Sequence, residues 1–241
     1  MRNLERRVTG KGTHADHPSL LGHTPTPSRF AQRTWLFDLD NTLHNADPHI
    51  FPRINRAMTA YICEHMNMDD AQASLLRQVY WKRYGATLLG LMRDFGTDPH
   101  HFLHHTHPLE DLERMVIAER GLKAMLRRLP GRKIIFSNAP RKYVEAVLAI
   151  SGIRRCFDAV YSVEQLRFQP KPAIGGFLRL LKNEGLDPRS CIMVEDTLHN
   201  LKTAKKLGMK TVWVSANSRQ SPYVDVKLAS VMELPQRLGR L

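Results

Sequence analysis

The apolar positions of this chain fall into two rhythms. Short unbroken runs at Thr34 to Asp38, Lys133–Phe136, Ala159–Tyr161, Cys191–Val194 and Thr211–Val214 read as strands buried on both faces. Between the later runs the spacing becomes helical, over Gly121–Leu129, Arg141–Ile150, Ile174–Asn183 and His199–Leu207, with Pro130-Gly131 as a break. This alternation predicts an α/β fold with a parallel sheet covered by helices on both faces. From Pro48 to about Glu119 the pattern has no convincing strand. Ile50, Ile54, Ala57, Met58, Tyr61 and Ile62 recur near a 3.6-residue period within His49–Met66, and Asp69–Tyr84 and Thr87–Phe95 read as further helices that stop at Gly85 and Gly96. The expected organisation is a polar tail over 1–33, an α/β core over 34–46 and 119–241, and an all-helical insertion over 47–118.

Composition narrows the reading. The 241 residues are 42% hydrophobic, enough for one α/β core with a small insertion. No apolar run approaches the ~20 residues that span a bilayer, and the polar N-terminus has no signal-peptide core, so cytoplasmic residence is the default expectation. Cys63, Cys156 and Cys191 lie far apart and read as isolated thiols. The formal charge of +13 raises the question of nucleic acid. Part of it sits in the tail, where Arg2, Arg6, Arg7, Lys11, Arg29 and Arg33 face only Glu5 and Asp16, and that segment is expected to be disordered. No stripe of alternating aromatic and basic residues supports a nucleic-acid interface, and an anionic substrate accounts for a basic surface as well.

The candidate chemistry gathers at the predicted strand ends, where ligands of parallel sheets bind. Asp38-Leu39-Asp40-Asn41-Thr42 follows the first strand. A carboxylate there can attack a phosphate monoester, and a second acid two residues on can protonate the leaving oxygen and then activate water. The phosphate is an anion, so the attack needs a hard cation such as Mg²⁺ held by carboxylates. Ser137-Asn138, after the second strand, can donate to phosphate oxygens, although Ser-Asn is also ordinary turn chemistry. Lys171 stands between Pro170 and Pro172, which stiffen its loop. Glu195-Asp196 ends another strand and suits a metal shell, with Asn200 in the first turn of the following helix. The histidine segment His100 to His107 contains pairs four residues apart, a helical metal-ligand spacing, but no acid or cysteine completes such a site. His107 is a candidate for the substrate cleft.

With these four motifs in order, the chain resembles the haloacid dehalogenase-like phosphohydrolase superfamily over about residues 34–232. The resemblance implies a Rossmann-like core with a helical cap inserted after the first strand. It implies Asp38 as nucleophile and Asp40 as general acid and base. It places Mg²⁺ on the carboxylates of Asp38 and Asp196 and the backbone carbonyl of Asp40, with Ser137 and Lys171 holding the phosphoryl group. Many members carry an aspartate where this chain has Asn200. An aspartate at position 40 argues against the dehalogenase branch.

Phe136-Ser137-Asn138-Ala139-Pro140 and Arg83-Tyr84-Gly85-Ala86-Thr87-Leu88 look like the pyrimidine 5′-nucleotidase branch. Hydrolysis of pyrimidine nucleoside 5′-monophosphates is therefore the leading expectation. Thr42, Asn138, His44, Tyr84 and Thr87 are then candidate phosphate or substrate contacts, with Tyr84 either stacking on a base or belonging to a core stripe of the insertion. A sugar-phosphate or phosphoglycolate phosphatase and a phosphomutase are the sibling readings. A non-catalytic nucleic-acid-binding protein is the remote one. The expected partner is a small phosphorylated metabolite, and the expected assembly a monomer or homodimer.

Overall fold

A computed structural model describes residues 32–241. The expected disordered tail lies outside them, save its last two residues. Six parallel strands, β1 (Thr34–Phe37), β2 (Arg132–Phe136), β3 (Ala159–Tyr161), β4 (Cys191–Glu195), β5 (Lys210–Val214) and β6 (Val226–Leu228), form one sheet in the order β3-β2-β1-β4-β5-β6. This is the open α/β architecture that the alternating pattern predicts. The chain leaves β1 towards β2 and β3 on one side, then crosses back to β4, β5 and β6 on the other. The order therefore reverses between β1 and β4, and a crevice opens there beyond the carboxyl ends of the strands.

The period of two along each strand sorts side chains to opposite faces. Trp35, Phe37, Ile135, Ile192, Val194 and Val212 share one apolar layer with Leu126, Val144 and Val147. Leu36, Ile134, Phe136, Met193 and Trp213 share the other with Phe177, Leu180, Leu201 and Ala204. Both faces are covered, so the strands read as continuous apolar runs.

Between β1 and β2 the chain forms α1 (Ile50–Met66), α2 (Asp70–Tyr84), α3 (Thr87–Phe95), α4 (Pro99–Thr106), α5 (Leu112–Met115) and α6 (Leu122–Arg128). Tyr61, Ile62, Ala73, Tyr80, Leu88, Leu91, Phe102 and Leu103 make an apolar cluster of their own within α1 to α4, joined by Val163 from the loop after β3. Asp69 and Gln72 close α2 with a reciprocal capping box. Asp98 caps α4 by accepting from the backbone N–H groups of His100 and His101. After β2 come α7 (Arg141–Ile150), α8 (Ile174–Glu184), α9 (Leu198–Lys206) and α10 (Leu234–Arg237).

The short strand β3 is read from the sequence, but other short elements escape it. Strand β6 is three residues long with Lys227 at its centre, too brief to show a period. Helix α4 runs through the histidine segment, where polar rings hide the apolar pair Phe102 and Leu103. No helix among the described residues is long and apolar enough to cross a membrane.

Candidate active site

Asp38 follows β1 and is still held to the sheet, its backbone N–H donating to the carbonyl of Val194 at 3.0 Å. Its carboxylate meets Lys171, whose Nζ donates to Asp38 Oδ1 at 2.7 Å and to Glu195 Oε2 at 2.8 Å. Lys171 is only 1% exposed, so this ammonium is fully committed to two acids. The lysine loop is fixed by a reciprocal pair: Asn138 Nδ2 donates to the Lys171 carbonyl at 2.9 Å, and the Lys171 N–H donates to Asn138 Oδ1 at 2.8 Å. Asn138, expected at the phosphate, thus holds the backbone that carries the lysine.

Glu195 has both oxygens occupied. Oε2 accepts from Lys171 and from Asn200 Nδ2, and Oε1 accepts from the backbone N–H groups of Asp196 and Thr197. It therefore acts as an anchor for the lysine. Asn200, at the position where the resemblance implies an aspartate in many members, donates to Glu195 Oε2 at 3.0 Å and orients it.

Among the described residues, the group of three or more potential metal-ligand residues that meets is Asp38, Glu195 and Asp196, with oxygens within 4.8 Å of one another. Three carboxylates face one ammonium there. Burial first, and Glu195 second, push the Asp38 carboxyl up to about 7, although Lys171 works in the opposite direction. Burial and the same neighbour push Asp196 up to about 9. Glu195 is held below its ordinary value: burial raises it, but Lys171 and the surrounding donors prevail. Burial works against the charge on Lys171, yet Asp38 and Glu195 hold its ammonium above its ordinary value. The uncompensated negative charge and all-oxygen donor set fit a hard divalent cation such as Mg²⁺. With Glu195 occupied, Asp38 and Asp196 are the side chains able to hold it.

Asp40 lies beyond Asp38 on the other side of Leu39. Its Oδ1 accepts from Tyr143 OH at 2.5 Å and pairs with His44 Nε2 at 2.9 Å. His44 was expected to contact sugar or phosphate; its side chain is instead buried against Asp40. Burial and the Asp40 carboxylate drive the Tyr143 hydroxyl well above its ordinary value, so it remains a donor. Tyr143 escaped the sequence reading because, with Val144 and Val147, it looks like an ordinary core stripe of α7. Ser137 is buried at the end of β2 with Oγ accepting from the Ala139 N–H at 3.1 Å, and Thr42 Oγ1 approaches Asp38 Oδ2 at 3.4 Å.

Among the described residues, Gly85 and His107 bring the helical insertion close to this centre. Gly85, between α2 and α3, lies so close to the lysine loop that a Cβ there would come within 2.7 Å of Pro172 Cδ. His107 packs its ring edge-on to Tyr143 at 6.0 Å, and burial pulls its pKa down to about 4, with Asp40 opposing part of that shift. Tyr84 and Thr87 make their contacts within the insertion. The Tyr84 ring meets Tyr80 at 5.7 Å and lies beneath the guanidinium groups of Arg83 and Arg93. The Thr87 hydroxyl donates to the Arg77 carbonyl at 3.1 Å. The rings of His65, His101 and His105 gather around Tyr61, whose hydroxyl pairs with His101 Nδ1 at 2.9 Å. A cleft of about 460 Å³ opens beside Asp196, lined in part by Lys202, Trp213, Arg219 and Tyr223.

Comparison with known proteins gives a consistent picture. Residues 35–214 match the family described as haloacid dehalogenase-like hydrolase. Hexitol phosphatase B of Escherichia coli K12 is 32% identical over 103 residues, covering 41% of this chain and 46% of that protein. Human N-acylneuraminate-9-phosphatase is 32% identical over 136 residues, covering 53% and 54% respectively. The chain thus spans about half the length of these curated relatives. A haloacid dehalogenase-type phosphatase from Thermococcus onnurineus superposes with a TM-score of 0.60 at 22% identity, over 86% of this chain and 98% of that one. That last likeness is one of fold.

Proposed function

The chain belongs to the haloacid dehalogenase-like hydrolase family, and from that membership we propose that it is a Mg²⁺-dependent phosphomonoesterase working through a phosphorylated Asp38. The observation that carries the reading is the junction of Lys171 with Asp38 and Glu195 beside Asp196, at the point where the strand order reverses. Asp38 is the attacking carboxylate. Lys171, anchored by Glu195, is aimed at the same oxygen region and would stabilise charge on the transferring phosphoryl group. Thr42 offers a hydroxyl beside Asp38, and Ser137 offers one at the end of the neighbouring strand β2. Asp40 carries protons to the leaving oxygen and from water. Mg²⁺, held by Asp38, Asp196 and, as the family resemblance implies, the Asp40 carbonyl, supplies charge neutralisation for the phosphate. The helical insertion, resting on the lysine loop and on Tyr143, serves as the cap that excludes water.

Two leaving groups remain in view, each with its own support. The relatives named above act, by their names, on a hexitol phosphate and an acylneuraminate phosphate, which favours a sugar or polyol phosphate. The pyrimidine nucleoside monophosphate reading is supported by Tyr84, half-buried at the end of α2 one residue before Gly85. Its ring packs against Tyr80 and lies beneath Arg83 and Arg93, and the Thr87 hydroxyl donates to the Arg77 carbonyl within the insertion. With the two comparably supported, the sugar or polyol phosphate reading is the one put forward. The test is phosphate release from a panel of sugar phosphates, polyol phosphates, phosphoglycolate and nucleoside monophosphates, with Mg²⁺ and with EDTA. Mg²⁺-dependent release that favours sugar or polyol phosphates supports it. Preference for UMP or CMP moves the assignment to the nucleotidase branch, and no release from any of them contradicts the phosphatase reading.

A further inference from the structure

Asp40 is gripped by two donors that address the same oxygen. Tyr143 OH lies 2.5 Å from Oδ1 and His44 Nε2 lies 2.9 Å from it. The two come from different parts of the chain, His44 from the loop after β1 and Tyr143 from the first turn of α7. Both are buried, at 4% and 1% exposure. A carboxylate only accepts, so His44 Nε2 carries the hydrogen of this bond, while Nδ1 has no hydrogen-bond partner.

We propose that Tyr143 and His44 are positioning residues for the proton-transfer step, filling both acceptor sites of Asp40 Oδ1 so that Oδ2 alone exchanges the proton with the leaving group. The proposal rests on the phosphoryl-transfer reading above. In the first step an Asp38 oxygen bonds to phosphorus. The bond from phosphorus to the ester oxygen breaks, and the proton on Asp40 Oδ2 passes to that ester oxygen. In the second step water bonds to phosphorus, Asp40 Oδ2 takes one of its protons, and the bond from phosphorus to Asp38 breaks. Oδ1 accepts the same two hydrogen bonds throughout, as a carbonyl oxygen in the acid and as half of the carboxylate in the ion. The clasp therefore survives both protonation states and fixes the direction in which Oδ2 points. A proton-transfer group must sit within hydrogen-bond reach of its target, so a freely rotating carboxyl would lose much of the benefit.

The test separates positioning from packing by the leaving group. Tyr143→Phe keeps the ring and removes only the hydroxyl. It is compared with the parent on p-nitrophenyl phosphate, whose leaving group departs without a proton, and on an alkyl phosphate, whose leaving group requires one. The readout is kcat/KM, which reports events up to formation of the phosphoenzyme and is insensitive to its later hydrolysis. The expected result is a loss of about tenfold or more on the alkyl ester and a much smaller loss on the aryl ester. Asp40→Asn should show the same asymmetry, more strongly. His44→Gln, which retains a donor, should recover more alkyl activity than His44→Ala. Equal losses on both esters would overturn the proposal and leave Tyr143 as a packing residue. Should Tyr143→Phe fail to fold, the His44 pair decides: no difference between Gln and Ala overturns it. Activity that survives Asp38→Asn would instead overturn the underlying phosphoryl-transfer reading.

Discussion

At the scale of single residues, the centre is a balance of buried charge. Lys171 is surrounded by Asp38 and Glu195, with its ammonium 2.7 and 2.8 Å from their oxygens. Removing it leaves two buried carboxylates without their cation. Lys171→Met should therefore lower stability by about 3–5 kcal/mol, measurable by urea unfolding, and should abolish phosphatase activity. Retained stability in this variant would mean that the acids had gained protons or solvent. The raised carboxyls make a pH prediction as well. Asp38 at about 7 and Asp196 at about 9 keep protons in the folded protein where the unfolded chain, with its value of 3.8, has lost them. The folded state then binds more protons, so these two groups reduce stability as pH rises from the ordinary carboxylate range through about 7 and about 9. His107 works in the opposite sense, since its value falls from 6.5 to about 4; its stabilisation is present above 6.5 and is lost as pH falls towards 4. The clean window is thus about pH 7 to about pH 9. In EDTA the melting temperature should fall across it. Mg²⁺ requires the ionised carboxylates, so the Mg²⁺-induced rise in melting temperature should grow with pH. A Mg²⁺ effect that shrinks as pH rises would contradict this charge assignment.

At the scale of elements, the strand ends deliver the chemistry and the turns aim it. Gly85 shows how closely two elements are fitted. Its φ of +80° is left-handed, and a Cβ would meet Pro172 Cδ at 2.7 Å. Gly85→Ala should cost about 1–2 kcal/mol from the backbone conformation alone, measurable by thermal unfolding. Because Pro172 follows Lys171, it should also lower kcat/KM by displacing the lysine loop. Unchanged kinetics with lowered stability would confine the contact to packing. These elements also show what was legible in the sequence. The strands β1, β2, β4 and β5 stand out as continuous apolar runs, and the motifs that end them are local. The parts that escaped are contacts between segments distant in the chain. Asn138 pairs with the Lys171 backbone across 33 positions, and Tyr143 reaches Asp40 across 103. Neither contact leaves a local pattern. His44, read as a substrate contact from its nearness to the nucleophile loop, turns back onto Asp40. Glu195, read as part of a metal shell, is saturated by Lys171, Asn200 and two backbone N–H groups.

At the scale of the whole molecule, two apolar layers hold the sheet, and the insertion carries a third cluster of its own. The insertion meets the core where catalysis is proposed, through Gly85 on the lysine loop and His107 on Tyr143. Seating of the helices and order at the acid–base carboxylate are therefore linked through a few named contacts. The central claim is that Asp38 becomes phosphorylated during turnover. Its most direct test is to mix the Mg²⁺-loaded protein with an active phosphate monoester, quench in acid within the first turnover, and examine the Asp38 peptide by mass spectrometry. The predicted result is a phosphoryl mass increment on that peptide, lost when hydroxylamine cleaves the acyl phosphate and missing in Asp38→Asn. Steady phosphate release in Mg²⁺ with no increment at Asp38, and undiminished in Asp38→Asn, would contradict the account.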